Sequence, residues 1–208
     1  MLNAQKRSLV WADEFNGTEL NEKDWYFQLD DGYPAICGLG NKERQIYTKR
    51  NHRLENGMLY IQARKENDRY TSSRILSKGK KEFQYGRLKS AQNLLSVKAY
   101  GLHFGSWAAI LTTLVGHWVE KLTYWNMWDV LHKKFSPHFI PKTRTGILPI
   151  DKTTYIPKIE KGFHAYAAEW DPERIAFFLD GINVYTFAPK ERTAAIWPFD
   201  QPLIFYLN

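Results

Sequence analysis

Histidine is the side chain best suited to hold a transition metal near neutral pH, and four of the six in this chain, His103, His117, His132 and His138, fall between Lys89 and Ile150. Their separations lack the short paired spacing of a zinc site, and no cysteine accompanies them. Cys37 is the one cysteine of the chain, so no internal disulfide can form. The same stretch carries Trp107, Trp118, Trp125 and Trp128, four of the eight tryptophans, which could be mistaken for a stacking platform. It holds seven basic residues (Lys89, Lys98, Lys121, Lys133, Lys134, Lys142 and Arg144) against two acids, Glu120 and Asp129. That is +5 of the chain's net +7, and the flanks are nearly balanced. Lys133-Lys134 reads as a solvated charge pair. No recognition module accompanies the positive charge, so a nucleic-acid partner is not expected.

The elements that must position any such chemistry lie on either side. In Arg53-Leu54-Glu55-Asn56-Gly57-Met58-Leu59-Tyr60-Ile61, the Asn-Gly pair supplies the two positive φ values of a tight hairpin turn. Leu59, Ile61 and Ala63 then alternate with Tyr60 and Gln62, the period of a strand. The pattern recurs around Asp180-Gly181, between Arg174–Leu179 and Ile182–Phe187. Gly79 and Gly86 punctuate short strands around Phe83 and Tyr85. Many short strands with turn signals predict an all-β sandwich, and 208 residues suffice for one domain with a real core. Aromatics at 15% suit a sandwich interior or a carbohydrate groove. The longest apolar stretch, near Ala108–Val119, is shorter than the ~20 residues that span a bilayer, so no membrane partner is expected. Met1–Arg7 has no apolar core of a signal peptide.

Several segments of the flanks resemble glycoside hydrolase family 16, especially its laminarinase-like endo-1,3-β-glucanases. They are Leu9-Val10-Trp11-Ala12-Asp13-Glu14-Phe15-Asn16-Gly17, Gly40-Asn41-Lys42-Glu43-Arg44-Gln45-Ile46-Tyr47-Thr48, Tyr70-Thr71-Ser72-Ser73-Arg74-Ile75 and Phe83-Gln84-Tyr85-Gly86-Arg87-Leu88. Downstream, Phe163–Pro172 and Trp197-Pro198-Phe199-Asp200-Gln201-Pro202 follow in the family's order. The resemblance implies one domain over 1–208, a concanavalin-like β-jelly roll of two antiparallel sheets. Within it, 8–88 and 152–208 are family-like and 89–151 is an aberrant, irregular or helical segment.

The resemblance also implies retaining hydrolysis by two Glu and an Asp in the motif E-x-D-x-x-E. On a strand, alternate residues share a face, so the first Glu and the Asp point into one cleft, and a bulge returns the last Glu to it. Retention needs the two carboxyls ~5–5.5 Å apart. No such motif follows Arg87-Leu88, and Glu120 and Asp129 have the wrong spacing; no catalytic residue is assigned.

The middle can be tested against its own codons. If one base were lost near codon 88, each true codon would join the last base of one visible codon to the first two of the next. Trp and Met have single codons, so parts of the outcome are forced. Tyr124 through Asp129 must then give Leu-Glu-(Tyr or His)-Val-Gly, which resembles the end of the family's catalytic strand. Permitted choices upstream allow Glu-Ile-Asp-Ile-Leu-Glu, an E-x-D-x-x-E motif where the family has one. A frameshift near Lys89, compensated near Asp151–Thr153, is therefore expected; a divergent or helical insertion is the alternative. The family also usually continues beyond the position of Asn208, so the last sheet is expected to be incomplete.

As substrate-binding residues the resemblance implies Asn41 and Glu43 at the cleft rim, Arg74 facing the glycan and Asn208 in the cleft. Each has a plain structural alternative: a solvated loop, an ion-paired sheet residue, a chain end. Trp197, in a Pro-flanked loop, is a candidate for sugar stacking. Trp11 and Trp170 read as core, His164 as a structural strand residue and Asp200 as a turn former. Family calcium sites use ligands near both chain ends; Glu14 is a remnant at most, and no metal or other cofactor is assigned. The expected partner is β-glucan, bound by a monomer located, as in most of the family, outside the cell or in a periplasm. Three functions compete: a glucanase by descent without its carboxylates, a non-catalytic glucan-binding sandwich, and a basic protein adhering to acidic polymers.

Overall fold

A computed structural model of the chain describes residues 7–30, 44–93, 112–115, 118–121, 124–129, 134–138, 154–155, 161–193, 197 and 199–208. In chain order the strands are β1 (Tyr26–Phe27), β2 (Gln45–Tyr47), β3 (His52–Glu55), β4 (Met58–Ile61), β5 (Arg64–Glu66), β6 (Arg69–Ser72), β7 (Ile75–Leu76), β8 (Glu82–Phe83) and β9 (Gly86–Asn93). They continue with β10 (Thr112–Val115), β11 (Trp118–Lys121), β12 (Tyr124–Asp129), β13 (Lys134–His138), β14 (Thr154–Tyr155), β15 (Phe163–Trp170), β16 (Ile175–Leu179), β17 (Ile182–Phe187), β18 (Leu203–Ile204) and β19 (Tyr206–Leu207). Among the described residues the only helical turn is a short 3-10 turn at Lys49–Asn51, so the chain is all-β.

The chain divides into two compact units. The first, Met1–Lys23 with Leu29–Ser73, carries the β3–β4 hairpin and the sheet β2-β6-β5. Asn56 and Gly57 adopt φ of 52° and 69°, as the Asn-Gly signal predicts. Gly57 is favoured by its positive φ, and a Cβ there would also meet the Asn16 side chain at 3.0 Å, which would have to shift slightly. Across this hairpin Arg53 pairs with Tyr60, its guanidinium 4.0 Å from the ring centroid. Under the sheet, Asn51 is fully buried. Its Nδ2 donates to Gln62 O and Thr71 Oγ1, both at 3.0 Å, so the buried amide is satisfied. The expected opening strand at Leu9–Gly17 joins no ladder among the described residues, and Leu9 and Val10 are exposed.

The second unit, Asp24–Gln28 with Arg74–Asn208, holds the largest sheet, ordered β17-β16-β15-β9. One face of this antiparallel sheet carries Leu88, Tyr166, Ala168, Trp170, Ile175 and Phe177, all buried. The other carries Arg87, Lys89, Glu169 and Phe178. Arg87 bridges Glu169 at 2.7 Å and lies over the Phe178 ring. β9 and β15 run side by side from Gly86↔Trp170 to Asn93↔Phe163. Asp180 and Gly181, at φ of 49° and 82°, turn β16 into β17 as the sequence predicts. Further ladders join β1-β7-β19 and β8 with β18. Trp25, Phe83 and Phe205 form an edge-to-face aromatic cluster.

The middle segment departs from the irregular or helical expectation. Its described residues pair antiparallel, β10 with β11 and β12-β13-β14 as a three-stranded sheet. The reason is compositional. Thr112-Thr113-Leu114-Val115 and Tyr124-Trp125-Asn126-Met127-Trp128 are rich in the β-branched and aromatic residues that favour pleated structure.

Candidate functional site

β7 is the centre of a three-stranded sheet, and the sequence puts Arg74 immediately before it. Phe27, Ile75 and Leu207 form one rung across β1, β7 and β19. The antiparallel register, carried one residue further, sets Arg74 between Gln28 and Asn208. The Gln28 N–H donates to the Arg74 carbonyl at 3.0 Å, which shows that the ladder runs through this rung. Arg74 is 2% exposed, whereas Gln28 and Asn208 are half-buried. The structure thus brings Arg74 and Asn208 together across neighbouring strands. Sequence reading alone missed Gln28, because nothing local in Tyr26-Phe27-Gln28 signals which strand lies beside it.

Trp197 occupies a different environment. It is 3% exposed, stacks on Phe187 with centroids 5.9 Å apart, and meets Phe199 edge-on at 5.0 Å. Its indole N–H donates to Asp200 Oδ1 at 2.9 Å. This is the packing of a core residue, with a ring face already covered. Asp200 Oδ1 also accepts from Tyr85 Oη at 3.0 Å, and Gln84 Nε2 donates to the Asp200 carbonyl at 2.8 Å. Asp200 is therefore a hub joining the loop before β18 to the bend before β9. Tyr85, in the left-handed region at φ 62°, is held at that bend. Burial raises its phenol above the ordinary value, and the hydrogen bond and charge of Asp200 add to the shift.

Trp170 is buried and Trp11 half-buried. His164 Nδ1 lies 2.7 Å from Asp180 Oδ2, while Asp180 Oδ1 accepts the Ala165 N–H at 2.8 Å. Burial pushes the Asp180 carboxyl up, but the hydrogen bonds from His164 and Ala165 and the charge of His164 outweigh it, and the net shift is down.

Of the carboxylates, Glu169, Asp171 and Glu173 come nearest in spacing to a catalytic strand. Glu169 is ion-paired with Arg87, and Asp171 caps the next turn by accepting the N–H groups of Glu173 and Arg174. Both are employed in holding the sheet and its turn. Glu120 lies on β11 and Asp129 ends β12, two strands that are not hydrogen-bonded to each other. Asn41 and Glu43 lie outside the described residues. Among the described residues no three His, Cys, Asp or Glu gather as a metal site, and Glu14 is exposed.

The described ladders are antiparallel except for β2 with β6, and the row Gln28, Arg74 and Asn208 crosses three of the strands. The profile described as glycosyl hydrolases family 16 matches residues 145–208. A β-glucanase of Rhodothermus marinus is 31% identical over 230 aligned residues, spanning 96% of this chain and 74% of the relative. Glucan endo-1,3-β-glucosidase A1 of Niallia circulans is 25% identical over 97% of this chain, which spans 33% of that protein. Among solved structures, the laminarinase of Flavobacterium sp. UMI-01 is 40% identical with a TM-score of 0.75, covering 97% of this chain and 87% of its own. The chain belongs to glycosyl hydrolases family 16, and its fold is the jelly roll of the laminarinases.

Proposed function

We propose that the chain is an endo-1,3-β-glucanase by descent whose present sequence has lost the catalytic acids and keeps groups that hold glucan. In the intact site one carboxyl protonates the leaving oxygen while the other attacks the anomeric carbon, and water then releases the glycosyl group. Family membership supports the descent. The observation that carries the loss is the sequence from Lys89 to Asp151, which has no E-x-D-x-x-E although single-codon residues force Leu-Glu-(Tyr or His)-Val-Gly one base out of frame. The family profile begins at residue 145, close to the point near Asp151 where the frame is proposed to be restored. On this reading the message is decoded out of step between about Lys89 and Asp151. The partner is a β-glucan, the working form is a monomer, and its place is outside the cytoplasm.

Two measurements test this. Genomic sequencing across Leu88–Thr154 identifies the two compensating base changes, and a gene with the frame restored is expressed beside the present one. With laminarin, reducing ends accumulate with the restored protein and stay at blank level with the present chain. Turnover by the present chain, or a frame that relatives' genes align to without any insertion or deletion, defeats the proposal.

A second reading is favoured by the register of β1, β7 and β19, which keeps Arg74 and Asn208 side by side without help from the middle segment. It is a non-catalytic glucan-binding sandwich, tested by retardation in a native gel containing laminarin. Mobility unchanged by the glycan argues against it.

A further inference from the structure

We propose that Gln28 is a third glucan-contacting side chain, set in one row with Arg74 and Asn208; the inference rests on the reading of this chain as a glucan binder. The row follows from two registers and one hydrogen bond. Phe27↔Ile75 and Leu207↔Ile75 fix three strands in line, and the Gln28 N–H to Arg74 carbonyl contact carries the ladder to the next rung. Neighbouring strands lie ~4.8 Å apart, so the row is roughly 10 Å long, enough to meet hydroxyls on more than one sugar ring.

Its chemistry suits a neutral polyol. Gln and Asn each offer a carbonyl acceptor and two N–H donors, and Arg offers a fork of donors, while a sugar hydroxyl both gives and accepts. The three side chains are amide and guanidinium groups, a donor-rich complement to a neutral polyol. Gln28 is half-buried, which restrains it yet leaves it reachable. Two residues along the same face, Tyr26 and Leu76 pack with Ile204, a rigid apolar neighbour for the row.

The test uses the full chain with Gln28→Ala, Gln28→Asn and Asn208→Ala variants, in native gels containing laminarin, with an α-linked dextran as control. The parent is expected to be retarded by laminarin alone, and equally at low and moderate salt, since hydrogen bonds rather than charge carry the contact. Gln28→Ala is expected to weaken retardation about threefold to tenfold, the range of one neutral hydrogen bond, with Gln28→Asn in between and melting midpoints unchanged. If Gln28→Ala is retarded like the parent while Asn208→Ala is not, the inference about Gln28 fails and the glucan reading stands. If Gln28→Ala loses binding together with thermal stability, its role is structural and the inference fails. If the parent is not retarded at all, the glucan-binding reading fails and the inference with it.

Discussion

Trp197 stacks on Phe187, meets Phe199 edge-on and donates to Asp200, so its indole stabilises the second unit from inside. Truncation to Ala removes these contacts and leaves a cavity, and should cost about 3–5 kcal/mol, read from urea unfolding of the full chain. In the sequence a Pro-flanked tryptophan looks reachable. What hides its burial is that Phe187 lies ten residues upstream on another element, a proximity no local pattern encodes. Asp180 gives a second residue-scale expectation. Its folded carboxyl sits below the ordinary value, so its contribution is complete above about pH 4 and is lost as pH falls through the lowered folded value. Urea midpoints should therefore drop on acidification below pH 4 in the parent, and drop less in Asp180→Asn. An equal acid loss in both would remove Asp180 from the account. At this scale Arg74 and Asn208 were legible as types; their adjacency was not.

At the scale of elements, turns were legible and registers were not. Asn56-Gly57 and Asp180-Gly181 announce their hairpins because positive φ is a local demand that few residues meet. Gly57→Ala should destabilise the chain by about 1 kcal/mol or more, since it forces a side chain into positive φ and against Asn16; a hairpin-local loss of amide protection with the rest retained is the expected readout. By contrast, the β1-β7-β19 order joins segments from the beginning, middle and end of the chain. Only tertiary burial selects that pairing, which is why Gln28 escaped notice. The middle segment errs the other way. Its β-branched and aromatic content forms strands where an irregular or helical stretch was expected, because propensity follows composition.

At the scale of the whole molecule, the relationship to the Rhodothermus marinus β-glucanase spans 96% of the chain, while the stretch from Lys89 to Asp151 lacks the E-x-D-x-x-E that the resemblance implies. A native core is consistent at every level of its sequence, and a stretch not selected for that core is not. The frame-restored protein should therefore melt at higher temperature and over a narrower range than the present chain, followed by near-ultraviolet circular dichroism. Identical melts would mean that residues 89–151 are as well adapted as any others. One further consequence follows from the register of β9 and β15. The chain leaves the large sheet at Asn93 and re-enters it at Phe163, on directly facing positions. The two ends of the intervening segment are thus held one strand spacing apart. Between ends held so, lengthening a flexible connection costs only about 0.6 kcal/mol for each doubling of its length. Between Asn93 and Phe163 a change of chain length is therefore the change that the β9–β15 pairing tolerates best.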